Sequence, residues 1–277
     1  MPTAHTIINA EKKGIDLNLK EIFHYKDLFF TLAYRDFRIR YAQTFLGFLW
    51  AFIQPLGTLF IFVLVFGKAI KVETGNVPYA VFAFCGMVAW SYFSFVLSQS
   101  GSSLISSQDM IKKIYFPRII IPISKSLVGI VDFLISFVLL IFLFVFYGYS
   151  PSANIIFLPI FVMLTLITSL GTGIWLSALT IRYRDFQHVI PFLVQLGLYI
   201  TPIAYPAELV SAELAPWAKI IYYANPMAGI VEGFRWSLLG SNALSNLNYL
   251  SFALSFLIFI TSIFYFRKTE KIMADII

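Results

Sequence analysis

Six long runs of apolar residues dominate this chain and restrict how it can fold. They cover roughly residues 45–67, 78–98, 126–147, 155–180, 187–203 and 247–266. About 20 consecutive apolar residues are enough to cross the hydrocarbon core of a bilayer as a helix. The fifth run is the shortest and ends in Thr201 and Pro202, so its far boundary is poorly defined. We therefore predict an all-α integral membrane protein with six transmembrane helices.

The composition agrees with this prediction. Hydrophobic residues make up 59% and charged residues 12% of the 277, whereas about a quarter of the residues in a soluble domain are charged. The one cysteine, Cys85, excludes an intrachain disulfide and is expected to be a small packed residue. Residues 1–43 contain no apolar segment typical of a cleavable signal peptide. The first span is therefore expected to direct insertion.

The distribution of lysine and arginine predicts the orientation of the spans, because cytoplasmic segments of membrane proteins carry an excess of both. With both termini in the cytoplasm, 16 of the 20 such residues fall in cytoplasmic segments. The other four are Lys68, Lys71, Lys219 and Arg235. The net charge of +6 thus follows sidedness, and we expect no nucleic-acid partner. We predict a cytoplasmic N-terminus (1–43), a six-span domain (44–266) and a cytoplasmic tail (267–277).

The tetrapeptide Tyr-Arg-Asp-Phe occurs twice, at 34–37 and at 183–186. The flanking sequences differ, so the copies do not indicate duplicated halves. Both lie at the predicted cytoplasmic interface, where arginine reaches phosphates and aromatic rings sit at headgroup depth. Independent interface composition and contact with a cytoplasmic partner both remain open as explanations. The basic residues predicted at this interface are Arg35, Arg38, Arg40, Arg182 and Arg184.

Two further cytoplasmic segments are predicted to be helical. Residues 28–41 combine apolar and basic residues as an amphipathic helix that lies in the plane of the interface, either as an anchor or as a docking element. Residues 99–125 connect spans two and three. Serines before Gln108 are expected to cap a short basic helix there, and Pro117 is expected to end the segment. This connection is either a solvated loop or a docking site for a soluble subunit.

The outer segment 204–246 is too rich in polar residues and prolines to span, yet too apolar for a solvated loop. Apolar residues recur at helical spacing after Asn225 and Pro226, and Gly240 marks the end of that helix. The apolar positions are Met227, Ile230, Val231, Phe234 and Leu238. Glu232 and Arg235 are three residues apart and are expected to pair on the other face. With Pro206, these residues predict short helices that enter the outer leaflet or cap a pore, or that serve packing alone.

Asp132 is the ionisable residue inside the predicted spans, and it is either a functional group or a hydrogen-bonding partner of a neighbouring helix. Aromatic residues, 18% of the chain, are candidates for a substrate channel because aromatic faces bind the apolar faces of sugar rings. For each of them, packing against lipid or protein is the alternative. The channel candidates are Trp50, Phe52, Trp90, Tyr92, Phe93, Phe95 and Tyr199.

The sequence contains no G-x-x-x-x-G-K-[ST], H-E-x-x-H, C-x-x-C or G-x-S-x-G motif. The segments outside the spans are also too short for a nucleotide-binding domain. We therefore expect no catalytic residue, metal or cofactor in this chain, and ATP hydrolysis, if used, by another chain. An ion-coupled carrier or a membrane-embedded glycosyl- or acyltransferase would need more intramembrane acids or histidines than Asp132.

Five segments in order resemble the ABC-2-type permeases that export polysaccharides, a family that includes O-antigen, capsule and wall teichoic acid exporters. They are RDFRIRYAQTFLGFLWAFIQPL, IYFPRIIIPIS, RYRDF, TPIAYP and NPMAGIVEGFRWSLLG. The resemblance covers residues 28–266 and is closest to the O-antigen branch. It implies a homodimer in the inner membrane with two copies of a cytoplasmic ATPase, which holds the ATP and Mg. An ABC-2 exporter of a small lipid or drug is the alternative.

The resemblance also implies roles for particular segments. The substrate would be a lipid-linked polysaccharide that moves through an aromatic-lined channel between the two permeases, with Trp50 and Tyr92 as matched candidates. Residues 204–240 match the periplasmic gate helices of the family, and residues 28–41 match its interface helix. The residues matched to the cytoplasmic coupling region, near the ATPase, are Met110, Lys112, Lys113, Tyr115 and Arg118.

Overall fold

The computed structural model describes residues 19–42, 47–241 and 243–273, and within these ranges the chain is helical and forms no strand. The boundary predicted at residues 43–44, the start of the first apolar run and the predictions for residues 1–18 and 274–277 lie outside the described residues. The helices are α1 (Leu19–His24), α2 (Lys26–Tyr41), α3 (Trp50–Phe62), α4 (Tyr79–Gly101), α5 (Ser103–Ser106), α6 (Gln108–Lys113), α7 (Ile120–Phe146), α8 (Leu158–Arg182), α9 (Phe186–Ile200), α10 (Ala207–Glu213), α11 (Pro216–Tyr223), α12 (Pro226–Leu239) and α13 (Asn246–Glu270).

Five helical stretches are long and apolar enough to cross a membrane, and each matches a predicted span. They are Gly47–Ala69, Tyr79–Gly101, Ile120–Phe146, Ala153–Arg182 and Asn246–Glu270. The first includes a π-helical stretch after α3, and the fourth begins with a 3-10 turn. The remaining predicted span corresponds to α9, which is apolar but has 15 residues. At a rise of ~1.5 Å per residue, α9 is about 22 Å long, shorter than the roughly 30 Å hydrocarbon core.

Helix α4 forms the centre of the bundle. It packs against α7, α8 and α12. In its most apolar stretch of 18 residues 83% is buried, whereas only 17% of the corresponding stretch in Gly47–Ala69 is buried. Cys85 in α4 is fully buried, as expected for a small packed residue. The two ends of the bundle carry different elements. We call the end with α1, α2, α5, α6 and Glu270 the terminal end, and we call α10, α11 and α12 at the opposite end the cap.

Helices α8 and α13 meet at a close approach that requires glycine. A β-carbon on Gly171 of α8 would lie 2.8 Å from the Cα of Phe259 in α13. The neighbouring small residues Ser169 and Ser262 are also buried. Helices in membranes associate through such small residues because these let the backbones come close together.

We expect a Gly171→Val substitution to lower the melting temperature of the detergent-purified protein. The new side chain would force α8 and α13 apart, and overpacking of this kind costs about 1–3 kcal/mol. The matched control is Ala253→Val, at an exposed position of α13. Equal melting temperatures for the two variants would contradict this account of the α8–α13 contact.

The connection between α4 and α7 contains the predicted short helix, which is α6. The prediction of a serine cap is wrong, because Ser107 at the N-terminus of α6 makes no side-chain capping bond. Neighbouring serines donate to carbonyls of their own turns instead, as Ser106 Oγ does to the carbonyl of Ser103 at 2.9 Å. The helix ends at Lys113, before Pro117 is reached.

Candidate functional site

A cavity of about 380 Å³ lies between α3, α4, α7 and α9. We call it the groove. Its polar wall consists of Gln54 and Thr58 from α3 and Ser91, Ser94 and Ser98 from α4. The hydroxyls of Ser91 and Ser94 donate to carbonyls of α4 at 3.0 and 3.1 Å. Their remaining lone pairs can therefore accept hydrogen bonds from a solute in the groove.

Aromatic rings complete the wall of the groove. Trp90 and Phe95 line it from α4, together with Val194 and Leu198 from α9. Gly197 of α9 lets the indole approach, because a β-carbon there would lie 2.5 Å from the ring of Trp90. The groove thus combines flat apolar rings with hydroxyl and amide groups. Such a surface suits a sugar, which has an apolar ring face and polar hydroxyl groups at its edge.

The seven aromatic channel candidates do not come together at one place. Trp90 and Phe95 line the groove, while Trp50 and Tyr199 are exposed on α3 and α9. Phe52 packs beside Phe48 with ring centroids 5.7 Å apart, and Phe93 is buried in the main core. Tyr92 is buried against α7, where its hydroxyl donates to the carbonyl of Ser126 at 3.3 Å. Its ring stacks edge-on against Phe133.

An ion pair between α2 and α7 lies at the terminal end of the groove. Nη2 of Arg40 is 2.7 Å from Oδ2 of Asp132, and the Tyr41 hydroxyl donates to the same carboxylate. The Arg40 guanidinium also lies 4.6 Å from the ring centroid of Phe95. Burial, with Asp132 beside it, raises the pKa of Tyr41 to about 12, so the phenol keeps the proton that it donates.

A second ion pair joins the same two helices. Nζ of Lys125 is 2.6 Å from Oδ2 of Asp36, which belongs to the first Tyr-Arg-Asp-Phe copy. The residues on α2 are four positions apart and those on α7 seven apart, so each set lies on one helix face. That complementary spacing is the signal by which the sequence could have shown both pairs. In the second copy, Tyr183, Arg184 and Asp185 are all exposed, so the two copies have different surroundings.

The cap is fixed to the bundle by a buried arginine. Nη2 and Nη1 of Arg235 donate to the carbonyls of Ile203 and Tyr205 at 2.6 and 3.2 Å. The guanidinium carbon lies 3.6 Å from the ring centroid of Phe82 in α4, whose carbonyl also accepts from Nε at 3.4 Å. The predicted pairing of Glu232 with Arg235 is wrong, and the two make no ion pair in the described chain. Both turn inward, so each finds its partners in other elements.

Glu232 of α12 is hydrogen-bonded to two other helices. Asn248 of α13 donates to Oε2 at 2.7 Å, and the Tyr223 hydroxyl of α11 donates to Oε1 at 3.3 Å. These groups line a cap cavity of about 410 Å³. Burial raises the pKa of Glu232 to about 7, with Glu208 adding to the rise and Asn248 opposing it.

Three of the predicted gate residues mark helix starts in the cap. Asn225 precedes α12, and its Oδ1 accepts from the Met227 backbone at 3.0 Å. Its amide donates to the Thr201 hydroxyl at 2.9 Å. Pro226 is the first residue of α12, and Pro206 precedes α10. The predicted apolar face of α12 is buried, and Gly240 ends the helix in the left-handed conformation at φ 65°, as expected.

The titration of Glu232 predicts a pH-dependent stability. Because its folded pKa lies above the ordinary value of 4.5, the stabilisation is fully present below pH 4.5 and is lost as pH rises through about 7. We expect the melting temperature to fall between about pH 5 and 8, because the free energy of unfolding falls by up to about 1.4 kcal/mol per pH unit. The charged or titratable groups facing it are Glu208, Lys219, Tyr223 and Arg235.

Substitution of Glu232 isolates its contribution to the pH dependence of the melting temperature. Glu232→Gln keeps an acceptor for Asn248 but cannot titrate, so its melting temperature should fall less over the same pH interval. Glu213→Gln, at an exposed position of α10, is the matched control and should retain the wild-type slope. If the Glu232→Gln profile is as steep as that of the wild type, Glu232 is not the titrating group.

The predicted coupling residues lie together at the terminal end. Lys112, Lys113 and Tyr115 are exposed, and Met110 is half-buried. Arg118 fixes the segment to α13, because its backbone N–H donates to Oε1 of Glu270 at 3.0 Å and its Nη1 to the Glu270 carbonyl at 3.2 Å. The same end displays the other predicted interface arginines, which are the exposed residues Arg35, Arg38, Arg182 and Arg184.

Comparisons with known proteins give this arrangement a context. A family model described as ABC-2 type transporter matches residues 27–239. A protein of Myxococcus xanthus named O-antigen export system permease protein RfbA is 28% identical, over 78% of this chain and 82% of its own. A protein of the same name from Klebsiella pneumoniae is 30% identical, over 91% and 95%.

A more distant relative is the polysialic acid transport protein KpsM of Escherichia coli, 24% identical over 88% of this chain and 94% of its own. The matched family model spans most of the chain, including the groove, the coupling segment and the cap. The chain therefore belongs to the ABC-2 type transporter membrane family, and it is a permease subunit of such a transporter.

Proposed function

We propose that this permease moves a lipid-linked polysaccharide of the O-antigen class across the inner membrane to the outer face. It acts as a homodimer with two copies of a separate cytoplasmic ATPase, which supplies the ATP and Mg chemistry. The observation that carries the proposal is the groove, in which Trp90 and Phe95 stand beside a row of serines. The relatives named as O-antigen export permeases support the same substrate class.

The composition of the groove suits a long chain that must slide. Aromatic faces hold the apolar side of a sugar without demanding one hydrogen-bond geometry. Serine and glutamine oxygens provide neutral acceptors of similar strength for many sugar hydroxyls. The floor of the groove is the Arg40–Asp132 pair, in which each charge is compensated. A glycan therefore meets a polar surface that binds each sugar weakly.

The proposed homodimer follows from polar groups exposed on apolar helices. Gln54 on α3 and Gln195 on α9 are both exposed. An amide facing hydrocarbon is unfavourable by about 2–7 kcal/mol unless it finds a hydrogen-bond partner. A second copy placed against α3 and α9 removes both amides from lipid and joins two grooves into one channel. In this arrangement α9 completes the sixth span, and the terminal end faces the cytoplasm.

The cap and the terminal end then have separate tasks. In the proposed orientation α10, α11 and α12 close the outer mouth as a gate, and α2 lies in the cytoplasmic interface. The ATPase binds at the exposed residues Lys112, Lys113 and Tyr115. Arg118 would transmit the motion to α13, since it binds Glu270 at the end of that helix.

Deletion of the gene is the direct test of the function. Surface polysaccharide and intracellular lipid-linked glycan are measured in the same cells. Loss of surface glycan with accumulation of the lipid-linked form places the protein at export. Unchanged surface glycan, or its loss without accumulation, contradicts the proposal and favours a biosynthetic role.

A charge reversal tests the coupling surface. We expect Lys112→Glu with Lys113→Glu to reduce co-purification of the cognate ATPase about tenfold, equivalent to about 1.4 kcal/mol. The permease should still fold, because both side chains are exposed. The control is Lys68→Glu with Lys71→Glu, the same charge change at the opposite end. If equal amounts of ATPase co-purify with the two variants, Lys112 and Lys113 do not form the ATPase-binding surface.

A further inference from the structure

A third open cavity, of about 490 Å³, lies on the outside of the bundle where the last turns of α13 meet α8. We call it the rear groove. Its apolar wall is formed by Trp175, Phe264 and Tyr265, and its basic rim by Arg267, Lys268 and Lys271. None of these six residues lines the groove between α3, α4, α7 and α9, so the rear groove is a separate feature.

The rear groove changes from apolar to basic along the helix axis. Phe264, Lys268 and Lys271 are four and three residues apart, so they share one face of the chain. Trp175 is seven residues before the end of α8 at Arg182, about 10 Å from that end. Its ring lies 6.0 Å from that of Tyr265. An amphiphile that fits this surface points its apolar part toward the membrane centre and its head toward the terminal end.

One acid compensates the basic rim only in part. Glu270 already accepts from Nη1 of Arg267 at 2.9 Å and from the Arg118 backbone. Lys268 and Lys271 make no ion pair with any residue that the structure describes. Nε of Arg267 is buried without an acceptor in the described chain, an arrangement that costs free energy. An anion at the rim would supply the negative charge that Lys268 and Lys271 lack.

We propose that the rear groove binds an anionic phospholipid of the cytoplasmic leaflet. Its phosphate lies between Lys268 and Lys271 with Arg267 beside it, and an acyl chain runs along Trp175 and Phe264. Basic pockets between membrane helices on the cytoplasmic side bind such headgroups. The inference rests on the proposed function for the orientation that places the terminal end in that leaflet. A neutral lipid would satisfy the apolar wall but leave the cations uncompensated.

Native mass spectrometry of the purified permease with phosphatidylglycerol tests the site. Phosphatidylcholine with the same acyl chains is the neutral comparison. We expect wild-type protein to retain phosphatidylglycerol preferentially, and Lys268→Gln with Lys271→Gln to reduce that retention about tenfold. Lys268→Arg with Lys271→Arg should restore retention, because the charge returns. Lys112→Gln with Lys113→Gln removes the same charge elsewhere at the terminal end and should leave retention unchanged.

Several outcomes would overturn the site. Equal losses in the two glutamine variants would show a general charge effect, and unchanged retention would show that the lipid binds elsewhere. Inorganic phosphate that raises the melting temperature as much as phosphatidylglycerol does would indicate a free anion instead. The measurement needs no ATPase and no glycan. It can therefore fail while export is demonstrated, or succeed while the deletion experiment contradicts export.

Discussion

Replacing Arg235 with methionine is expected to lower the melting temperature of the purified permease by about 5–15 °C. The carbonyls of Ile203 and Tyr205 would lose their donor in a buried place, at a cost of about 1–3 kcal/mol each. Methionine also removes the cation from the face of the Phe82 ring. Because these contacts hold the cap on the bundle, cleavage by trypsin at Lys219 in α11 should become faster.

Two comparison variants make this expectation specific. Arg38→Met removes an exposed arginine of α2 and should leave the melting temperature nearly unchanged. Arg235→Lys keeps the charge but loses the planar fork that reaches two carbonyls at once, so its stability should lie between the wild type and Arg235→Met. A melting temperature for Arg235→Met equal to that of Arg38→Met would mean that the cap is held by other contacts.

Neutralising Asp132 should have the next largest effect. Asp132→Asn leaves the Arg40 cation uncompensated at the floor of the groove. Loss of one partner of a buried pair costs roughly 3–5 kcal/mol, and we expect about 1–3 kcal/mol because 34% of the Arg40 side chain is exposed. Under the proposed function, a free cation in the groove should also retain anionic substrate groups, so surface polysaccharide should fall about tenfold, equivalent to about 1.4 kcal/mol in the export rate.

A double substitution separates the charge from the shape of the side chain. Arg40→Gln combined with Asp132→Asn removes both charges, so it should recover part of the stability lost in Asp132→Asn alone. Asp27→Asn, at an exposed position of α2, is the control for loss of an acid. The single variant Arg40→Gln completes the comparison. If the stability losses of Arg40→Gln and Asp132→Asn add up to the loss of the double variant, the two side chains do not act as a pair.

The sequence predicted well those features that depend on neighbours along the chain. Met227, Ile230 and Val231 recur at helical spacing, and all three are fully buried in α12. Gly240 ends that helix because glycine tolerates a positive φ. The five helical stretches long enough to span a membrane likewise follow from long apolar runs, for which the surrounding bilayer leaves few alternatives.

Features that join distant parts of the chain were harder to predict. The rule for residues three apart applies to an exposed helix face, and it failed for Glu232 and Arg235 because both point into the protein. Their partners, such as Phe82 and Asn248, come from other helices. Likewise a hydrogen-bonding partner on a neighbouring helix was one of the two alternatives for Asp132, but its identity as Arg40 and Tyr41 was not predicted.

The aromatic candidates on α4 do not all lie on the same helix face. Successive residues of a helix point about 100° apart, so an aromatic cluster in α4 must divide between faces. Trp90 and Phe95 share the groove with Ser91 and Ser94, whereas Tyr92 faces α7. The serines at spacings of three and four mark the polar face, and they would have been a better guide than aromatic character alone.

The two ion pairs between α2 and α7 also constrain the order in which the protein is assembled. Lys125 follows Asp36 by 89 residues in the chain. At a synthesis rate of ~5–20 residues per second, α2 leaves the ribosome roughly 4–18 s before its partner. During that interval Arg40 has no carboxylate from α7, and α2 has no fixed place against the bundle. Helix α2 is therefore made early and is fixed in position only once α7 has been made.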